Sequence, residues 1–167
     1  MCIRDSLSPS MDIGVSSNFE RLLFEFLGRD ALLTAKTMAD FRSSGKMAVD
    51  APVWRAIAHE FQGYRLSDDA TLAEIRRFYE ESAYLADPHS IIGLAAGRDC
   101  DTGRLPVICA ATAHPAKFPD AIEKAVGIRP PLPNHLSDLY DRKETFTRAG
   151  ADLNQIETLV RNFANRN

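Results

Sequence analysis

The sequence predicts an α/β fold that is mostly helical and contains one clear buried strand. Apolar residues recur at helical spacing along most of the 167 residues, whereas residues 106–111 form a short apolar run without alternation. Such a run is typical of a strand covered on both faces in a parallel sheet. Its backbone groups need neighbouring strands, and these are hard to find in the rest of the chain. The parallel sheet is therefore expected to be incomplete.

Four helices are predicted before residue 86. Ser17 and Glu20 have the Ser-x-x-Glu spacing of a capping box, and Pro52 suits the first turn of a helix. Ser67 is expected to cap the fourth helix, whose apolar and charged residues fall on opposite sides. The predicted helices cover residues 18–27, 30–42, 52–60 and 68–85.

The remaining elements are marked by proline, glycine and capping residues. Asp87 and Pro88 provide an N-cap and a first helical residue, and Pro119 and Gly127 bracket a later helix. The elements predicted here are a helix over 87–97, the strand over 106–111, a helix over 119–126, a short helix through 139, an edge strand over 143–148, and a helix capped by Asp152.

Composition excludes several classes of protein. The 20 basic and 23 acidic residues give a net charge of −3 without a basic cluster, which argues against a nucleic-acid interface. The longest apolar stretch, residues 91–97, is far shorter than the roughly 20 residues of a membrane span. An odd count of cysteines, Cys2, Cys100 and Cys109, without a Cys-x-x-Cys pair fits a reducing cytoplasm.

The best candidate site is the segment after the predicted strand, residues 112–118. Ligands of open α/β sheets bind at the carboxyl ends of strands, and here Thr112 offers a hydroxyl, His114 a titratable ring and Lys117 a positive charge. A tight strand-to-helix loop with a capping Thr112 and a solvated Lys117 is the alternative.

Three weaker possibilities come from other polar and aromatic residues. Cys109 and His114 would suit a thiol hydrolase, but a thiol inside a buried strand is usually inert. Asp87 and His89 would suit a metal, but Asp87 is already explained as a helix cap. The aromatic residues at helical spacing are expected in the core; they are Phe19, Phe24, Phe26, Trp54, Phe78 and Tyr79.

Three stretches together resemble the carboxyl-terminal part of the threonine synthase family. They are Leu-Ser-Pro-Ser-Met-Asp-Ile over 7–13 leading into Val-Ser-Ser-Asn-Phe-Glu-Arg-Leu over 15–22, Asp-Pro-His-Ser over 87–90, and Ala-Thr-Ala-His-Pro-Ala-Lys-Phe over 111–118. Their order and separation also match, so the resemblance covers residues 7–167. Residues 1–6 do not match, and Ser90 replaces a threonine that the family usually has.

The resemblance implies a pyridoxal 5′-phosphate enzyme of fold type II, related to the tryptophan synthase β-subunit. The family converts O-phospho-L-homoserine and water into L-threonine and phosphate. Its Schiff-base lysine and the loop that binds the cofactor phosphate lie upstream of the stretches found here. A helix-rich C-terminal fragment without independent activity is therefore expected, whose strand pairs with strands encoded upstream.

Thr112 is the one cofactor contact that the resemblance assigns, as the hydroxyl beside the pyridine nitrogen. His114 and Lys117 receive no catalytic role. The alternative to an enzyme fragment is a non-enzymatic helical binding module that has kept the family scaffold, and a hydrolase built on Cys109 and His114 is the weakest interpretation.

Overall fold

The computed structural model describes residues 6–100, 103 and 105–165, which form two compact units, residues 6–131 and 132–165. The non-matching segment 1–6 lies outside this description except for Ser6, as does Cys2. Within the described ranges the α-helices are α1 (Ser17–Phe26), α2 (Ala31–Ser44), α3 (Ala51–Glu60), α4 (Asp68–Ser82), α5 (Pro88–Asp99), α6 (Pro119–Val126) and α7 (Leu153–Ala164), with 3₁₀ turns at Pro115–Lys117 and Asn134–Leu136.

Most predicted helix starts are confirmed by their capping bonds. Asp30, Ser67 and Asp152 each accept a backbone N–H of the first turn of their helix. The first helix differs, because the extended residue Ser16 is its N-cap and accepts the Phe19 N–H, whereas Ser17 is already helical. The predicted capping box at Ser17 is therefore wrong by one residue.

Helix ends depend on backbone conformation more than on periodicity. The left-handed conformation of Gly127, with φ of 69°, ends α6 where the sequence predicts. Ala83 adopts φ of 57°, so α4 ends at Ser82 and not near Leu85. Helix α5 passes Gly97 and ends two residues later at Asp99, so Gly97 lies close to the helix end, as expected, but does not end it.

The buried strand predicted over 106–111 is not formed. These residues carry no strand assignment, and Ile108 is 95% exposed. The physical reason is the one that limits any parallel strand: no partner strand is available among the described residues to bond its backbone groups. The edge strand predicted over 143–148 is likewise absent from the structure.

The core of the first unit lies where α4 packs against both α5 and α6. Ile75, Ile91 and Ile122 are at most 1% exposed there. Half-buried apolar side chains surround them; these are Leu66, Leu72, Phe78, Leu85, Leu94 and Val126. This three-helix core positions the first turn of α5, where the candidate site begins.

A second cluster joins α1 to α2 and α3. Leu23 and Met38 are buried in this cluster, and Phe26 meets Phe61 edge to face with ring centroids 6.0 Å apart. The prediction that all aromatic residues lie in the core is wrong for Trp54 and Phe19, which are 61% and 42% exposed.

The second unit contains a 3₁₀ turn and α7. Arg142 pairs with Asp138 at 2.6 Å, and this hydrogen bond lowers the pKa of the Asp138 carboxyl. Helix α7 has no buried residue, and its apolar side chains Leu153, Val160 and Phe163 are at least 63% exposed. In the ranges that the structure describes, no helix combines the length and the hydropathy of a membrane span.

The contrast between Ile122 and Ile108 can be tested by unfolding this chain in urea. Ile122→Ala removes a side chain that is 0% exposed, so we expect a loss of about 3 kcal/mol in the free energy of unfolding. The matched control Ile108→Ala should stay within about 0.5 kcal/mol of the parent, because the side chain is solvated. A large loss for Ile108→Ala would show that residues 106–111 are buried after all.

Candidate functional site

The site is built around the carboxylate of Asp87, which is buried at the start of α5. Asp87 is the N-cap, and its side chain accepts the backbone N–H groups of His89 at 2.8 Å and of Ser90 at 3.3 Å. Pro88, at the first helical position, has no N–H that would need a partner. The buried negative charge is therefore compensated by the first turn and the positive end of the helix.

Ser90 connects this carboxylate to the segment that carries Thr112. The Ser90 hydroxyl donates to Asp87 Oδ2, and its oxygen accepts the backbone N–H of Thr112 at 3.0 Å. An ionised carboxylate only accepts hydrogen bonds, so the hydroxyl proton points at Asp87 and a lone pair is left for Thr112. Asp87, Ser90 and the Thr112 backbone thus form one chain of hydrogen bonds.

His89 connects the same carboxylate to the N-terminal segment. Its Nδ1 lies 3.2 Å from Asp87 Oδ1, and its Nε2 lies 3.2 Å from the backbone nitrogen of Ser10. A backbone N–H can only donate, so Nε2 is the acceptor and the ring proton is assigned to Nδ1. The ring also packs against Phe118, with centroids 4.6 Å apart. His89 is therefore a buried positioning group.

The side chain of Thr112 is available for a ligand. Thr112 is exposed, and its hydroxyl has no hydrogen-bond partner within the part of the chain that the structure describes. The expected alternative, a capping Thr112, is wrong because His114 caps the following 3₁₀ turn through Nδ1, which accepts the Ala116 N–H at 3.1 Å. Lys117 is exposed, with Nζ 5.9 Å from the centroid of the Phe118 ring.

Two open grooves border the extended segment that leads to Thr112. One, of about 470 Å³, is lined by Tyr64, Gly97 and Ile108 among others, and the other, of about 250 Å³, by Phe78, Tyr84 and Ala111 among others. In the first groove a hydrogen bond from the Tyr64 hydroxyl to Asp99, 2.7 Å long, raises the pKa of Tyr64. The segment therefore has unfilled space beside it.

Helix α5 holds this segment by close contact. The Cys109 thiol donates to the carbonyl oxygen of Gly93 at 3.4 Å, and a Cβ at Gly97 would lie 2.8 Å from both Cys109 Sγ and Val107 Cγ1. Gly97 thus lets residues 107–109 approach the helix, and Gly93 contributes its backbone carbonyl as an acceptor. Cys109 and His114 bond to different partners, so the structure gives no thiol–imidazole pair.

The possible metal site at Asp87 and His89 is explained by hydrogen bonds within the protein. The paired Asp87 and His89 bond to each other and to backbone groups. Among the residues described, no group of three or more His, Cys, Asp or Glu side chains is placed to hold a metal ion.

Sequence reasoning assigned Asp87 as a cap but missed its connection to Thr112. The link spans 22 residues between Ser90 and Thr112, and nothing in the spacing predicts it. One signal in the sequence could have indicated the link. In the Asp-Pro-His-Ser stretch, Asp87 and Pro88 already explain the helix start, so the Ser90 hydroxyl is free to bond a more distant residue.

The sequence of this chain is similar to those of threonine synthases. Residues 90–160 match the family described as threonine synthase, C-terminal. The threonine synthase of Pseudomonas aeruginosa is 42% identical over 166 residues, which are 98% of this chain and 35% of that protein. The threonine synthase of Saccharomyces cerevisiae is 34% identical over 140 residues, covering 72% of this chain and 27% of that protein.

A solved structure agrees with these relatives. The crystal structure of PLP-bound threonine synthase from Brucella melitensis superposes with a TM-score of 0.78 and 44% identity, over 97% of this chain and 35% of that one. The chain therefore spans about a third of the length of the Pseudomonas aeruginosa and Brucella melitensis proteins.

The importance of the Asp87 carboxylate can be measured by unfolding. Asp87→Ala leaves two backbone N–H groups and the Ser90 hydroxyl without their buried acceptor, so we expect a loss of about 3 kcal/mol. Asp30→Ala is the matched control, because Asp30 caps α2 at an exposed site with one backbone bond; we expect about 1 kcal/mol. Equal losses in urea unfolding would contradict a central role for Asp87.

Proposed function

This chain belongs to the threonine synthase family, as its C-terminal portion, and on that premise we propose that it works as part of a pyridoxal-phosphate enzyme that makes L-threonine. The observation that carries the proposal is the exposed Thr112, whose backbone is fixed by Ser90 and whose hydroxyl has no partner among the described residues. A hydroxyl in this state is ready to bond a ligand.

The proposed reaction takes O-phospho-L-homoserine and water to L-threonine and phosphate. The C–O bond between the γ-carbon and the phosphate breaks, and water supplies the hydroxyl that appears on the β-carbon. The cofactor, when bound, withdraws electrons from the amino-acid substrate and makes these bond changes possible.

The chemistry of Thr112 fits the nitrogen edge of the pyridine ring. A hydroxyl donates or accepts, so it can bond the ring nitrogen in either protonation state. It carries no negative charge and therefore does not favour a protonated ring, as a carboxylate would. A less strongly electron-withdrawing cofactor limits side reactions. No role in the chemistry is proposed for His114 or Lys117.

The exposed apolar surfaces of the chain support the proposal that it functions as part of a longer polypeptide. Ile108 is 95% exposed and lines the larger of the two open grooves, and the apolar side chains of α7 are exposed as well. Surfaces of this kind mark interaction sites. We propose that residues 106–111 pair with parallel strands supplied by the N-terminal part of the enzyme, as the fold type II sheet requires.

Two further assignments complete the proposal. Residues 7–167 form the family portion, since the Leu7 N–H donates to Asp68 at 3.3 Å and the Ser10 N–H donates to His89, which ties this segment to α4 and α5. The location is the cytoplasm, because Cys100 and Cys109 are free thiols.

The cofactor contact is tested in the complete enzyme that contains this chain. Thr112→Val removes the hydroxyl at nearly constant shape, so we expect the Kd for pyridoxal phosphate to rise about tenfold. Thr112→Ser keeps the hydroxyl and should bind normally. Unchanged affinity and threonine formation in Thr112→Val would refute the assignment.

The proposed strand is tested by making the same substitution, Ile108→Ala, in the complete enzyme and in the 167-residue chain. In the complete enzyme, Ile108→Ala should lower the free energy of unfolding by about 2–4 kcal/mol, because the side chain would be buried in a sheet. The same substitution in the 167-residue chain should have little effect, as its exposure implies. A negligible loss in both contexts would show that the segment stays solvated.

A further inference from the structure

Thr112 needs a fixed backbone if its hydroxyl is to meet a ring nitrogen at hydrogen-bond distance. A strand in a sheet would be held by backbone bonds on both sides. Here the segment 106–111 lies outside any sheet in the described residues, and its Cys109 thiol bonds to α5. In the complete enzyme the proposed strand would end at residue 111, one residue before Thr112. The Ser90–Thr112 bond is the one that acts directly on Thr112.

The position of the Ser90 hydroxyl is itself determined. Ser90 is 4% exposed and Asp87 1%, so water does not compete for the bond between them. The carboxylate also accepts the backbone N–H of Ser90, which holds the residue at two points. Because the hydroxyl donates its proton to Asp87, only its two lone pairs are left as acceptors, and one of them accepts the Thr112 N–H.

We infer that Asp87 and Ser90 are positioning residues that act through the Thr112 backbone to place the Thr112 hydroxyl for the cofactor. This role rests on the cofactor contact proposed above. Neither side chain needs to touch the cofactor, since the Ser90 hydroxyl bonds to the backbone N–H of Thr112 and to Asp87.

The first experiment measures the bond itself, in the 167-residue chain. We expect Ser90→Ala to speed hydrogen exchange of the Thr112 amide about tenfold, as measured by NMR, while Ser90→Thr retains protection. Ser67→Ala is the matched control, because Ser67 caps α4 through the Ala70 N–H and does not bond to Thr112. Undiminished protection in Ser90→Ala would overturn the inference whatever the cofactor binds.

The second experiment measures cofactor binding in the complete enzyme by fluorescence quenching and absorption. Ser90→Ala should raise the Kd for pyridoxal phosphate about tenfold, and Ser90→Thr should restore it. The decisive variant is the double mutant with Thr112→Val. If Ser90 acts through Thr112, removing the Ser90 hydroxyl has no further effect once the Thr112 hydroxyl is gone.

The possible failures are distinguishable. An effect of Ser90→Ala that adds in full to that of Thr112→Val would overturn the positioning role and leave the cofactor contact intact. No effect of Thr112→Val alone would overturn the cofactor contact, and with it the positioning role, even if the Thr112 amide is shown to bond Ser90.

Discussion

The buried carboxylate of Asp87 is the interaction on which the rest of the site depends. It caps α5, orients His89 toward the N-terminal segment and orients Ser90 toward Thr112. A buried charge is costly unless every lone pair has a donor, and here the helix N-terminus and two side chains provide donors. The need to satisfy one charge therefore brings together three segments that are remote in sequence: residues 6–12, the start of α5, and the segment ending at Thr112.

Helix α5 holds the extended segment 106–112 in place, although no sheet surrounds this segment among the described residues. Gly97 has no side chain, so residues 107–109 approach closely; the Gly93 carbonyl accepts the Cys109 thiol, and Ser90 bonds the end of the segment. The helix holds the segment along one side and leaves its flanks open to the two grooves. This arrangement suits the proposed strand, whose neighbours would come from another part of the polypeptide.

The sequence predicted the helices well, because helix signals are local. Asp30, Ser67, Asp87 and Asp152 act within one turn, and Gly127 provides its own left-handed conformation. The strand was predicted from its apolar composition, which describes the environment that the segment prefers but does not supply the partner strands. The Ser90–Thr112 link was missed for the same reason: it depends on tertiary packing of α5 against a segment 22 residues away, and periodicity contains no record of such a contact.

Serine at position 90 makes the site depend more on Asp87 than threonine would. A β-branched threonine at this position would restrict its own side-chain rotamer against the helix backbone, whereas serine rotates more freely. The bond to the Asp87 carboxylate selects one serine rotamer, and that rotamer is the one whose lone pair faces Thr112. In this chain the Asp87 carboxylate therefore orients the Ser90 hydroxyl, and that hydroxyl in turn bonds the Thr112 backbone.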